Sequence, residues 1–168
     1  ADGTDADLDS LSFTYTWTVN DTPIEGSSDT LDGGLYFDKG DVVALSVVAS
    51  DGIDSTPPLS AGSLVVENSP PTMPMPVITP AVPAAGVDSL VCAMAEPSTD
   101  PDLDPLTYSI AWTRDGESFS ATTDTHTEGD TIPGHVTWAG EEWACTITAS
   151  DGDAESAPGL TLVVPEWR

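Results

Sequence analysis

The chain has 168 residues, in which 29 acidic side chains face only Lys39, Arg114 and Arg168, for a formal net charge of −26. Nucleic acids and anionic membrane surfaces are excluded as partners, because both need clustered Lys and Arg. The same charge favours divalent cations and keeps an exposed chain soluble, and no apolar run reaches the roughly eighteen residues of a helical membrane span.

In chain order the sequence reads as strands. An acidic run, Asp5 to Asp9, precedes Leu11 to Val19, which alternates around Phe13, Tyr15 and Trp17. Asn20-Asp21 suits a hairpin turn, and Asn20-Asp21-Thr22 is also an N-glycosylation sequon. Asp41 to Ala49 alternates through Val43, Leu45 and Val47, and Ser63 to Glu67 is short and β-branched. Asn68 to Pro76 (NSPPTMPMP) carries four prolines and is expected to be extended and semi-rigid. Beyond it, a strand starts near Val77 and is interrupted by Pro80 and Pro83, as an edge strand tolerates. Leu90 to Ala95, Leu106 to Thr113, Glu142 to Ala149 and Leu160 to Val164 follow. Gly, Pro, Asp and Ser clusters separate these runs. Short strands with frequent turns predict an all-β fold of sandwich type. No stretch has helical periodicity of useful length.

The chain repeats itself. Gly40 to Gly52 (GDVVALSVVASDG) matches Gly140 to Gly152 (GEEWACTITASDG) at an offset of 100, and Asp5 to Thr18 matches Asp100 to Thr113 at an offset of 95. Two matches in the same order predict tandem copies of one small domain. The predicted divisions are residues 1–68 for the first copy, 69–76 for a Pro-rich linker and 77–168 for the second copy. The first copy lacks any counterpart of Val77 to Ala95, so its first two strands are expected to be absent. It is then either a portion of a longer array or a subunit completed by another chain. Completion by strand donation would build a head-to-tail polymer.

The acidic loop, the Leu106-Thr107-Tyr108 strand start, Trp112, the strand after Gly140 and the Ser150-Asp151-Gly152 turn together resemble bacterial extracellular immunoglobulin-like repeats. The layout is similar to PKD and cadherin-like surface-protein modules. The resemblance implies two tandem immunoglobulin-like β-sandwiches at the cell surface or outside the cell, the first without its N-terminal strands. It implies a spacer, adhesive or scaffolding role, with neighbouring repeats, another surface protein or a glycan as partner. Cys92, Trp112 and Cys145 resemble the Cys-Trp-Cys core of that fold, which implies a disulfide worth roughly 3–4 kcal/mol in the chain-entropy model. Two buried free thiols are the alternative. Leu45 holds the place of Cys145 in the first copy. The twenty residues from Cys92 to Trp112 depart from antibody domains.

Asp100, Asp102 and Asp104, with Asp5, Asp7 and Asp9 as repeat mates, are the candidate metal ligands. Carboxylates at every second position of a loop can converge on one hard cation, and calcium takes six to eight oxygens from flexible loops. The sandwich topology is expected to bring Asp151, and Asp51 in the first copy, to the same pole. Solvated acidic turns are the simpler alternative. His126, His135 and Glu128 lack a short zinc-ligand spacing. Hydrolase, zincin and phosphate-loop motifs are absent, so an enzyme is not expected. Trp138 and Trp167 are candidate sugar-stacking residues, which keeps a carbohydrate-binding module as a second reading.

Overall fold

The computed structural model describes residues 3–26 and 28–166. Its chain divides into two compact units, Ala1–Asn68 and Ser69–Arg168.

The first unit is a four-stranded antiparallel sheet. Its elements are β1 (Ser12–Val19), β2 (Thr22–Pro23), α1 (Gly33–Tyr36), β3 (Val42–Ser50) and β4 (Leu59–Val65). The sheet order is β2-β1-β3-β4. In β1 the threonines at 14 and 16 are exposed while Phe13, Tyr15 and Trp17 are half-buried, the period of two that a strand imposes. β1 pairs β3 from Ser12 opposite Ser50 to Val19 opposite Val43. Asn20 and Asp21 both have positive φ, 49° and 63°, the hairpin geometry that Asn and Asp tolerate best. Two features depart from expectation. β4 begins at Leu59, not Ser63, and carries a bulge opposite Leu45 and Ser46. A single helical turn, α1, occupies a Gly-containing segment without periodicity and is capped by the Asp32 carboxylate, which accepts from Gly34 N at 3.0 Å.

The second unit is an immunoglobulin-like β-sandwich. Its strands are β5 (Met75–Thr79), β6 (Leu90–Glu96), β7 (Thr107–Arg114), β8 (Glu117–Phe119), β9 (Thr131–Ile132), β10 (Trp143–Ser150) and β11 (Gly159–Val163). One sheet has the order β11-β10-β7-β8 and the other β5-β6-β9. β10 alternates strictly between buried and half-buried residues, and Trp143, Cys145, Ile147 and Ala149 point into the core. They meet Ile78, Leu90, Cys92 and Ile132 from the opposite sheet and Trp112 from β7. Cys92 and Cys145 form a disulfide between the sheets, with Cα atoms 6.2 Å apart. Trp112 lies directly opposite Cys145 and makes an edge-on contact with Trp143 at 6.5 Å between ring centres. This is the arrangement in which a strand tryptophan packs on the inter-sheet bridge.

The proline-rich segment belongs to this second unit. Thr72 N donates to Thr99 O at 2.9 Å, Thr99 N returns a bond to the Thr72 hydroxyl at 2.8 Å, and β5 has already begun at Met75. Ser69 and Thr72 are therefore fastened to the loop between β6 and β7, and Met75 and Pro76 pair with β6. The register of the repeat is preserved between units: Trp17 faces Leu45 as Trp112 faces Cys145, and Ser12 faces Ser50 as Thr107 faces Ser150. Among the described residues of the first unit, the counterpart of the β5-β6-β9 sheet is missing.

Candidate metal centre

The loop from β6 to β7 turns sharply at its acidic run. The Asp100 side chain accepts from Asp102 N at 2.9 Å and from Asp104 N at 3.2 Å through one oxygen, Oδ1. Leu103 N closes the turn on Asp100 O at 3.2 Å, and Leu103 itself sits at φ 61°, with its side chain 89 % exposed. The second oxygen, Asp100 Oδ2, is buried with no hydrogen-bond partner, and Asp100 as a whole is only 7 % exposed. The neighbouring Ser98 hydroxyl is likewise buried and unpartnered. Burying a carboxylate oxygen without a donor or cation costs several kcal/mol in principle.

The carboxylates of Asp100, Asp102 and Asp104 lie within 4.8 Å of one another. Two oxygens bound to one calcium at about 2.4 Å are at most about 4.8 Å apart, so the group has the span of a shared ligand set. The residues therefore fit a hard divalent cation. Asp102 also accepts from Ser69 N at 2.6 Å, which ties the first residue of the unit to the acidic turn.

The first copy builds the same turn: Asp5 Oδ1 accepts from Asp7 N at 2.8 Å and Asp9 N at 3.2 Å, and Leu8 has φ 67°. Asp5 is half-buried there, and Asp7 and Asp9 are exposed. Among the described residues, only the second copy gathers three ligand groups. In the second copy Ser69 N and Thr72 are bonded to the acidic loop, at Asp102 and Thr99, and Asp100 is buried.

Asp51 and Asp151 serve their own turns. Asp51 Oδ1 accepts from Ile53 N and Asp54 N, both at 2.7 Å; Asp151 Oδ1 accepts from Asp153 N at 2.7 Å and Ala154 N at 2.6 Å. The Asp54 and Ile53 bonds hold the Asp51 carboxyl below its ordinary pKa. Gly52 and Gly152, at φ 94° and 97°, supply the left-handed backbone that this turn needs, and this accounts for the repeated Ser-Asp-Gly. Neither aspartate joins the three-carboxylate group.

The remaining sequence candidates stand apart. Asn20 Nδ2 donates to Asp41 Oδ1 at 2.6 Å and Asn20 Oδ1 accepts from Val42 N at 3.0 Å, so a glycan on that nitrogen would replace a turn contact. The Asp38 amide and the Asn20 side chain hold the Asp41 carboxyl below its usual range. His126, Glu128 and His135 gather in no metal group among the described residues. Trp138 is 62 % exposed, with its backbone N–H pinned to Glu141 Oε2 at 2.8 Å. Trp167 lies outside the described residues.

Asp130 is a functional carboxylate of the fold that sequence reading missed. It is 1 % exposed and accepts from Thr125 N at 2.7 Å, His126 N at 2.8 Å, Thr127 N at 3.0 Å and the Thr131 hydroxyl at 2.8 Å. The only sequence signal was a glycine-flanked aspartate placed just before β9.

No family model matches the chain, and no curated protein matches it. Solved structures similar to it include the chicken CNTN1 FN1-FN3 domains, at 11% identity and TM-score 0.44 over 92% of this chain and 57% of that one. Mouse nectin-like molecule 4, full ectodomain (Ig1-Ig3), is similar at 18% identity and TM-score 0.41, over 92% of this chain and 55% of that one. The chicken interferon gamma receptor alpha chain is similar at 13% identity and TM-score 0.46, over 92% of this chain and 86% of that one. The chain thus spans little more than half the length of the first two. The assignment of an immunoglobulin-like fold rests on the strand order and core described above.

Proposed function

We propose that the chain is a non-catalytic structural and adhesive module of an extracellular repeat array, and that calcium braces the acidic pole of its second unit. The observation that carries the calcium reading is Asp100 Oδ2, a buried oxygen without a partner, inside a group of three carboxylates. A bound cation would supply the missing partner. It would also stiffen the start of the unit, because Asp102 holds Ser69. The inter-sheet disulfide supports an oxidising, extracellular setting. The tandem repeat supports a spacer or adhesive role, in an array or a surface filament. Among the described residues no helix is long and apolar enough to cross a membrane.

Extracellular calcium modules bind at about 10⁻⁴ to 10⁻³ M. At 10 mM calcium, binding of that strength stabilises the folded unit by about 1.4 to 2.7 kcal/mol. The test is denaturant unfolding of the chain in 10 mM calcium and in chelator, with Asp100→Asn alongside. The reading predicts a calcium-dependent gain that Asp100→Asn removes. No gain, or an equal gain in the variant, contradicts it.

A second reading is favoured by one observation, the fixed and exposed Trp138. It makes the second unit a glycan-binding module. Glycan retention that disappears in Trp138→Ala would support it, and retention unchanged in that variant would count against it.

A further inference from the structure

The outward face of the four-stranded sheet in the second unit carries no charge. Residues directly opposite share a face, so the register sets Leu162, Ala144 and Thr113 in one row across β11, β10 and β7, and Leu160, Thr146 and Ala111 in the next. Thr148 with Ser109 continues the face, and Ser118 extends it onto β8. The alternate positions Trp112, Trp143, Cys145 and Ile147 are buried, which fixes these rows as the outward set. Among the described residues, no outward position on the four strands is charged, in a chain with 29 acidic side chains. Arg114 and Glu117 oppose each other on the other side, where the guanidinium lies over Phe119 and Trp143.

The first unit keeps this property with different residues. Thr14, Thr16, Ser46 and Val48 stand where the second unit has Ser109, Ala111, Thr146 and Thr148. The edge strand is where the two units part. Leu160 and Leu162 stand opposite Thr146 and Ala144 and are 63 % and 56 % exposed, so they form an apolar ridge along β11. At the matching places of the first unit, opposite Ser46 and Ala44, β4 carries Ser60 and Ser63.

We infer that this face of the second unit packs against the same face of a second molecule of the chain. The charge pattern selects that occupant. A basic partner is drawn to the acidic turns and finds no carboxylate on this face, whereas a like face brings no like charges into contact. The shape agrees. A two-fold axis parallel to the strands lays β11 of each molecule over the β7-β8 side of the other, so each leucine ridge meets small side chains, Ala111 and Ser118 among them. Four strands about 4.8 Å apart, each with about six residues at roughly 3.4 Å, give about 400 Å² per molecule. The total of about 800 Å² lies below the standard range of about 1,200 to 2,000 Å², so the pairing of single chains is weak and reversible. It gains strength where an array offers several such faces at once. That gain rests on the repeat-array reading; the pairing itself does not, and neither depends on calcium. The net charge of −26 opposes the approach of two molecules, so salt, which screens it, strengthens the pairing.

The test is run in chelator, so that it fails separately from the calcium titration. The full chain is sedimented at up to about 1 mM, the range of weak complexes, in about 0.1 M and about 1 M sodium chloride. The inference predicts a reversible dimer whose dissociation constant falls about tenfold or more at the higher salt. Backbone NMR on dilution should show shifts in β7, β10 and β11 and none in β5 and β6. Ala111→Glu, at an exposed position, sets a carboxylate in the middle of the contact and should abolish the dimer. Leu160→Ser, also exposed, should weaken it about tenfold. Urea unfolding of both variants checks that the unit still folds, and the salt dependence of the parent chain needs no variant. Any of four results overturns the inference: a monomer at both salt concentrations, association that weakens with salt, a dimer unchanged in both variants, or dilution shifts that miss β7, β10 and β11.

Discussion

The Asp130 carboxylate shows how a single buried charge can hold a loop. Burial by itself would raise its pKa, but the Thr127 and His126 amides, the Thr131 hydroxyl and the Thr125 amide outweigh that cost and keep the carboxyl below its ordinary value. A depressed folded-state pKa means that the stabilisation is present in full above the unfolded value near 3.9 and is lost as pH falls through the folded value. Asp130→Ala leaves buried amides without an acceptor and should cost about 3 kcal/mol in the second unit. Urea unfolding at neutral pH and at pH 3 checks both points. The variant should be less acid-sensitive than the parent, and an equal pH dependence would count against this role. The acidic turn was legible in the sequence because its alternating aspartates are consecutive. Asp130 was not, since its partners come within reach only once the Thr125–Thr127 loop has folded back. The sequence also offered Asp51 and Asp151 as ligands; in the structure one oxygen of each accepts from the amides of its own turn, and neither joins the group of three carboxylates.

Strands whose residues alternate were readable, and those whose residues are small or few were not. β1, β7 and β10 follow the period of two that a half-covered sheet imposes, and the expected ends of these strands and of β3 fall within a residue of those observed. β4 is LSAGSLV, where Gly62 and the bulge interrupt the alternation and hide its first four residues. β2 and β9 have two residues each, too short for any periodic signal. The strongest link between elements is the disulfide, which joins β6 to β10 across 53 residues. Its removal in a Cys92→Ala, Cys145→Ala double variant should cost the second unit about 4 kcal/mol in the chain-entropy model. Denaturant titration of that variant would measure it. A loss below about 1 kcal/mol would mean that Trp112 and Trp143 hold the two sheets together without help.

At the scale of the whole molecule, one repeated motif has produced two different physical objects. The second unit closes its core between two sheets and pins a proline-rich segment along its acidic pole. Among its described residues, the first presents the same strand order and register in a single sheet. The fold class and the tandem plan could be read from the sequence because the repeat kept both its motifs and their spacing. The consequence for burial could be read too, since the strands without a counterpart in the first copy are those that would cover Trp17 and Leu45, and both are half-buried where Trp112 and Cys145 are buried. Half a sandwich leaves apolar side chains in water, so its strands should open with little cost compared with those of the closed unit. The decisive measurement is amide hydrogen exchange, resolved by residue, on the full chain in chelator. The account predicts slow exchange in β7 and β10 and much faster exchange in β1 and β3, despite their matched register. Equal protection of the two strand pairs would contradict it.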